Sequence, residues 1–282
     1  MVLGLSSFAF GWSIGVGENS PSNPMREIDL VKSTASYGLR CLQIGDNLPL
    51  HTFSRGRLDT LKDILEKQDI RLEVGARKLT TENFQRYIQL ASFFHSPLLR
   101  FVIDGDDYEP DLPAVTSLLK SFVPELEKRQ IILGIENHDR LKAKDLAALM
   151  KAVNNKQVGI CLDCVNSMGA GEGLEYVVDL LAPYTVNLHI KDFKVERLWH
   201  KMGFTITGTP AGEGLSNIPM IMEKLKPFNR CDSAVLEQWV PLDQDIELIC
   251  KKENDWAQKS IHYLKGLPYF SAKNDLSISK LT

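Results

Sequence analysis

The sequence predicts an α/β fold, one closed (β/α)8 barrel in a single domain, and three observations carry that expectation. Eight short runs rich in Leu, Ile and Val recur along the chain, stretches of helical period separate them, and the length is 282 residues. Strands that alternate with helices pair in parallel through crossover connections, and eight such units in a chain of this length favour closure over an open sheet. The barrel is expected over residues 1–270, with the polar "SAKNDLSISKLT" left as a tail over 271–282.

The predicted strands follow in order. "LGLSSFAF" starts at Leu3, "LRCLQIGD" at Leu39, "RLEVGAR" at Arg71 and "LLRFVID" at Leu98. "IILGIENH" starts at Ile131, "VGICLDCVN" at Val158, "TVNLHIKDF" at Thr185 and "SAVLEQWV" at Ser233. Between them, stretches such as "LDTLKDILEKQD" and "PAVTSLLKSFVPELEKRQ" place apolar residues three and four apart with charges on the opposite face, which is helical period. The connection from Lys194 to Gly214, ending in "GTPAGEG", is long and glycine-rich and is expected to form a lid.

Composition narrows the function classes. Hydrophobic residues make up 44% of the chain, enough for a large core, and the formal charge of -3 offers no basic footprint for nucleic acid or an anionic membrane. No apolar stretch reaches the ~20 residues of a membrane span, and the apolar start "MVLGLSSFAFGWS" lacks the basic residues of a secretory signal. Five cysteines, at 41, 161, 164, 231 and 250, make no disulfide pattern. A soluble, cytoplasmic protein is therefore expected. Cys161 and Cys164 have CxxC spacing but lie within a strand-like run and read as core thiols. The tail is a candidate contact in a homo-oligomer.

In a barrel of this kind the active-site groups belong at the C-terminal ends of the strands. Four consecutive predicted strands end in ligand-type residues: Glu136 in "GIENH", Asp163 in "CLDC", His189 in "NLHIKD" and Glu237 in "VLEQW". The two-residue period of a strand lets all four face the interior, sends Lys191 inward with them, and turns Asp192 the other way. Three carboxylates on one rim raise one another's pKa unless a cation neutralises them, so the set asks for a divalent ion. Oxygen donors with one imidazole suit Mn, Mg, Co or Zn.

The ordered set "GIEN", "LDxxN", "LHIKD", "GEG" and "LEQW" resembles the xylose isomerase-like TIM barrels over nearly the whole chain. The likeness is strongest to the sugar phosphate isomerase/epimerase group, with its ketose 3-epimerases, hydroxypyruvate isomerase and inosose dehydratase. It implies that Glu136, Asp163, His189 and Glu237 hold one catalytic divalent ion and that the substrate is a small sugar or polyol. It also implies isomerase or epimerase chemistry through an enediolate, with Glu136 and Glu237 as proton acceptor and donor. Loss of a hydroxyl from the same intermediate is the alternative, a dehydratase of a keto-polyol such as an inosose. The superfamily's abasic-site endonucleases draw on several histidines, whereas here only His189 and His138 are at hand, and His138 reads as a loop residue. A non-catalytic sugar-binding barrel has no need of two carboxylates flanking an ion.

Further residues are expected around the quartet. Lys191 either meets the substrate or pairs with an acidic neighbour. Asn166 stands where many of the epimerases carry a histidine, and it can hydrogen-bond substrate but cannot carry a proton. Arg77 ends its strand and is expected at the rim as a substrate ligand, whereas Arg100, near the start of its run, is expected at the opposite end or outside. Phe10, Trp12 and Trp239 are expected as pocket walls. Glu213, between two glycines, is expected to cap the next helix or reach a substrate hydroxyl.

Overall fold

The computed structural model describes residues 1–270, so the tail expected over 271–282 lies outside the described residues. The barrel strands are β1 (Val2–Ser6), β2 (Cys41–Ile44), β3 (Arg71–Arg77), β4 (Leu98–Val102), β5 (Ile132–Glu136), β6 (Val158–Asp163) and β7 (Thr185–Ile190), completed by β10 (Ser233–Leu236). They pair in parallel and close in the order β1-β10-β7-β6-β5-β4-β3-β2. Between β7 and β10, β8 (Asp192–Arg197) and β9 (Phe204–Thr209) form a separate antiparallel hairpin. The helices are α1 (Gly11–Ile14), α2 (Glu27–Ser36), α3 (Arg55–Lys67), α4 (Thr81–Phe93), α5 (Leu112–Arg129), α6 (Ala143–Val153), α7 (Leu174–Leu181), α8 (Ile218–Leu225) and α9 (Ile246–Lys265). Among the described residues no helix is long and apolar enough to cross a membrane.

Helix starts follow from local chemistry. Ser54, Thr80 and Asp111 cap α3, α4 and α5 by accepting from the backbone N–H three residues on, and Pro113 enters the first turn of α5 where its missing N–H costs nothing. The strands end sooner than their apolar runs. β1 stops at Ser6, whose hydroxyl accepts from Phe8 N at 3.2 Å and opens a 3-10 turn over Ser7–Phe10. The long connection after Lys194 is mostly the hairpin, which the reading as a glycine-rich lid did not foresee.

Strand parity divides the side chains between two environments. The outward faces carry Leu99, Phe101, Leu133, Ile135, Leu162, Leu188 and Ile190, which join one large apolar cluster with Phe84, Leu119, Leu146 and Val178 from the helices. Val2, Cys41 and Val235 form a small separate apolar cluster in the lumen, and Val102 shares the inward face of β4 with Arg100. Buried polar groups fill the rest, including Gln43, Glu73, Arg100 and Asn187. Arg100 thus lies inside the barrel, contrary to the expectation from its place in the run. Its register partners are Gly75 on β3 and Gly134 on β5, and the absence of side chains there makes room for the guanidinium.

The first and last barrel strands are tied by α9. Glu253 accepts from Trp12 N and Ser13 N, both at 2.8 Å, and from Ser13 Oγ at 2.6 Å. Gln238 Nε2 donates to Ala9 O at 2.9 Å and to Glu253 O at 2.7 Å. These bonds hold the loop after β1 against the exit of β10, next to the rim described below.

Candidate functional site

Glu136 and Asp163 end β5 and β6, His189 is the penultimate residue of β7, and Glu237 follows β10 directly. The barrel brings these four sequence-predicted residues together, each buried. His189 Nδ1 lies 3.2 Å from Glu237 Oε1, 3.5 Å from Glu136 Oε2 and 3.8 Å from Asp163 Oδ2. Register accounts for the convergence, because Asp163 pairs with His189 across β6 and β7 and Glu136 pairs with Cys161 across β5 and β6.

Each carboxylate is held from behind. Asp163 Oδ1 accepts from Val165 N and Asn166 N, both at 2.8 Å, and Asn137 clips the Asp163 backbone through both its amide atoms, Oδ1 accepting at 2.7 Å and Nδ2 donating at 2.9 Å. Glu237 Oε1 accepts from Ser6 Oγ at 2.8 Å. Glu136 Oε1 accepts from Asn166 Nδ2 at 2.8 Å, and its Oε2 is paired with Arg100 Nε. Arg100 in turn donates through NH1 to Asp46 Oδ1 at 2.6 Å, and Arg77 Nε holds Asp46 Oδ2 at 3.0 Å.

Lys191 forms ion pairs with acidic neighbours, one of the two roles expected for it. Its Nζ lies 2.7 Å from Asp163 Oδ2 and 3.1 Å from Glu237 Oε2, donates to Asn166 Oδ1 at 3.2 Å, and also lines the cavity above the quartet. Burial alone would lower its pKa, but Asp163, Glu237 and Glu136 outweigh burial and hold the ammonium above its ordinary range. Glu237 shows the converse, burial being overcome by His189 and Lys191 so that its carboxyl sits well below the usual range. The His189 ring is raised, the pull of Glu237 and Glu136 exceeding the opposing effect of burial. Burial pushes the thiols of Cys41, Cys161 and Cys164 up, so all three stay neutral.

Asp192 faces away from the quartet and organises the "GEG" loop. Its carboxylate accepts from Phe193 N, Gly212 N, Gly214 N and Ser216 N at 2.8 to 3.0 Å. Gly212 has φ +91, and a Cβ on Gly214 would stand 2.2 Å from Asp192 Oδ1, so the loop reaches this carboxylate only with glycine at these places. Glu213 between them is exposed, and α8 is capped by Asn217, so the expected cap at Glu213 is not formed.

A cavity of about 550 Å³ opens above the quartet, walled by Phe8, Met168, Ile206 and Trp239, with Asn166 and Lys191 toward its floor. Trp239 is placed as expected, and Ile206 comes from the hairpin. Trp12 is turned aside, its Nε1 donating to Val240 O at 2.8 Å, and Phe10 is fully buried in the shell, so neither is part of this wall. Arg77 stands at the rim beside Asp46, with NH2 3.4 Å from His138 Nε2, outside the cavity lining. Phe8, Asp46 and Arg100 were missed in the sequence.

The residues suit a divalent cation. Asp163, His189 and Glu237 present ligand atoms within 4.8 Å of one another, as do Glu136, Cys161 and His189. His189 Nδ1 is buried without a hydrogen-bond partner among the described residues although three carboxylates surround it. The three carboxylates face two cations, Arg100 and Lys191, which leaves the floor one negative charge in surplus.

The chain resembles several proteins of known kind. It is 31% identical over 264 residues to 3-oxo-isoapionate decarboxylase of Pectobacterium atrosepticum, covering 94% of this chain and 95% of the relative. D-psicose 3-epimerase of Clostridium cellulolyticum H10, solved with D-tagatose, superposes with TM-score 0.68 at 14% identity over 93% of this chain and 98% of its own. A xylose isomerase-like TIM barrel protein of Mycobacterium smegmatis, solved in complex with magnesium, gives TM-score 0.67 at 13% identity over 93% and 97%. At such identities the two superpositions speak for the fold alone. The profile of the xylose isomerase-like TIM barrel family matches residues 31–267, and the chain belongs to that family.

Proposed function

We propose that this protein is a divalent-metal-dependent decarboxylase of a small 3-oxo sugar acid. The observation that carries this reading is the buried ion pair between Arg100 and Glu136. Epimerisation and isomerisation need a free base to take a proton from carbon and an acid to return it. With Glu136 paired to Arg100, Glu237 paired to Lys191 and asparagine at position 166, the site is short of the free base that such a proton abstraction needs. Decarboxylation needs no base, because the bond to the departing carboxylate supplies the electron pair. The 31% identical relative named as a 3-oxo-isoapionate decarboxylase supports the same choice.

Glu136, Asp163, His189 and Glu237 would hold the ion, which supplies positive charge for the oxygen on which negative charge develops. The remaining work belongs to the chain. Asn166 and Lys191 orient the substrate's polar groups from the floor of the cavity, and Phe8, Met168, Ile206 and Trp239 keep water from the carboxylate that leaves. As the carbon–carbon bond breaks, its electron pair stays on the carbon next to the ketone and carbon dioxide departs. Lys191, the one cation among the described lining residues, returns a proton from Nζ to that carbon and is reprotonated by solvent. With a divalent ion held by the quartet, the floor of three carboxylates, Arg100 and Lys191 would carry one net positive charge, which would suit a monoanionic sugar acid better than a neutral ketose.

The test is incubation with Mn²⁺ in deuterated water, offering 3-oxo sugar acids beside ketoses such as D-tagatose. The expected result is carbon dioxide release with one deuterium fixed in the product, and no epimerisation of the ketoses. Epimerised ketose without carbon dioxide would overturn the reading and return Glu136 and Glu237 to the roles of proton acceptor and donor.

A further inference from the structure

The lumen beneath the quartet is polar for a reason the ligand set does not supply. Branched apolar side chains ordinarily fill the interior layers of such barrels. Here Gln43, Glu73 and Asn187 lie under His189, each 1% exposed or less. A buried carboxylate is costly unless its oxygens are satisfied, and those of Glu73 are. Oε2 accepts from Gln43 Nε2 at 3.1 Å and Asn187 Nδ2 at 3.4 Å, and Oε1 accepts from Arg71 NH2 at 2.9 Å.

The directions of these bonds decide the tautomer of the neutral histidine. Gln43 Nε2 donates to both Glu73 Oε2 and Asn187 Oδ1, each at 3.1 Å, and the Asn187 amide is itself oriented by two partners that only accept, Ser233 O at 3.3 Å and Glu73 Oε2 at 3.4 Å. Turned over, the Gln43 amide would set its oxygen against two acceptors, so Oε1 faces His189 Nε2, 2.7 Å away. A carbonyl oxygen only accepts. His189 Nε2 therefore carries a hydrogen, and in the neutral ring, the form that ligates a cation, the Nδ1 lone pair is directed at Glu136, Asp163 and Glu237.

We propose that Gln43 is a positioning residue: gripped by Glu73 and Asn187, it locks His189 in the Nε2–H tautomer and so presents Nδ1 to a divalent cation. This rests on the reading of the quartet as a metal centre. The opposite tautomer would aim an N–H at the same point and deprive the ion of its one nitrogen ligand. The polar column thus reaches from Arg71 at the entry to β3 up to the rim, and the buried charge of Glu73 fixes which way the amide above it points.

The experiment measures the Mn²⁺ dissociation constant of the parent, Gln43→Met and Glu73→Gln by calorimetry, beside the melting temperature of each metal-free protein. Gln43→Met is expected to weaken Mn²⁺ binding by about 10–100-fold, the usual scale for a partner of a ligating histidine. Glu73→Gln keeps the shape of the column but lets the Gln43 amide turn over, and is expected to weaken binding in the same direction should Gln43→Met fail to fold. Lower melting temperatures with unchanged Mn²⁺ affinity would make the column merely structural and overturn the proposal. Nitrogen-15 spectra at alkaline pH separate this outcome from failure of the metal reading, the His189 ring being identified by its loss in His189→Gln. A ring protonated at Nδ1 overturns the role of Gln43 whatever the metal does. A ring protonated at Nε2 in a parent that takes up no Mn²⁺ supports the role of Gln43 and sinks the metal reading alone.

Discussion

Leu162 and Asp163 are neighbours on β6, both fully buried, yet they inhabit different solvents. Leu162 faces outward into the apolar layer between strands and helices, where burial is the stabilising force. Asp163 faces a lumen of carboxylates, amides and cations, where each charge persists only because another group answers it. The fold loads its stability on one face of each strand and its chemistry on the other. Packing in the shell holds the strands rigidly enough to keep an electrostatically costly floor together.

The largest expected effect lies on the lumen side. Asp163→Ala is expected to abolish stoichiometric Mn²⁺ binding and, with it, turnover by a hundredfold or more. It should also remove the rise in melting temperature that Mn²⁺ gives the parent, a difference readable by calorimetry with and without chelator. Arg100→Met comes next, because it strands Glu136 as a buried charge and leaves Asp46 to Arg77 alone. A loss of about 3–5 kcal/mol in urea unfolding is expected, and a stability near that of the parent would mean the pair is not formed. Leu162→Ala sharpens the contrast from the shell side. It should cost about 2–5 kcal/mol by the same measurement and yet leave Mn²⁺ affinity close to the parent value. If Leu162→Ala lost the metal as readily as Asp163→Ala, the division between the two faces would not hold.

The smallest effect belongs to a pair outside both regions. Glu27, buried at the start of α2, is bound by Arg57 through Nε at 2.8 Å and NH2 at 2.5 Å. Burial acts to raise its pKa, but the bonds and charge of Arg57 prevail and the carboxyl is held below the usual range. A folded-state pKa below the unfolded one adds stability above the unfolded value and loses it as pH falls through the folded value. Arg57 is partly solvated, so Glu27→Gln should cost only about 1 kcal/mol at neutral pH. That difference should shrink below about pH 4, where the carboxylate takes up its proton in the unfolded chain.

The sequence pattern foretold much of this architecture, and its failures have physical causes. The run "RLEVGAR" coincides with β3, and the four rim ligands stand at or beside strand ends because the two-residue period is a property of any strand. Arg100 was misplaced because its depth in the barrel depends on how β4 is staggered against β3 and β5, which only the closed sheet determines. The hairpin was overlooked because β8 and β9 expose much of both faces, and strands without a buried side leave little apolar contrast. Gln43 and Glu73 carried no signal at all. Nothing local in "CLQIG" or "RLEVG" says that an amide and a carboxylate meet a histidine more than a hundred residues away.

The step from Lys191 to Asp192 bears on how this chain tolerates changes of length. One charge enters the lumen, the other is spent on the backbone of the "GEG" loop, and only their order along the strand decides which is which. Removal of a single residue between His189 and Lys191 would carry the aspartate inward and the lysine out, exchanging a cation of the cavity floor for a fourth carboxylate. At the hairpin tip, where Trp199 and Met202 are 91% and 82% exposed, added or lost residues would disturb little that is packed. Drift in length among related chains should therefore gather at that tip and be nearly absent at the exit of β7.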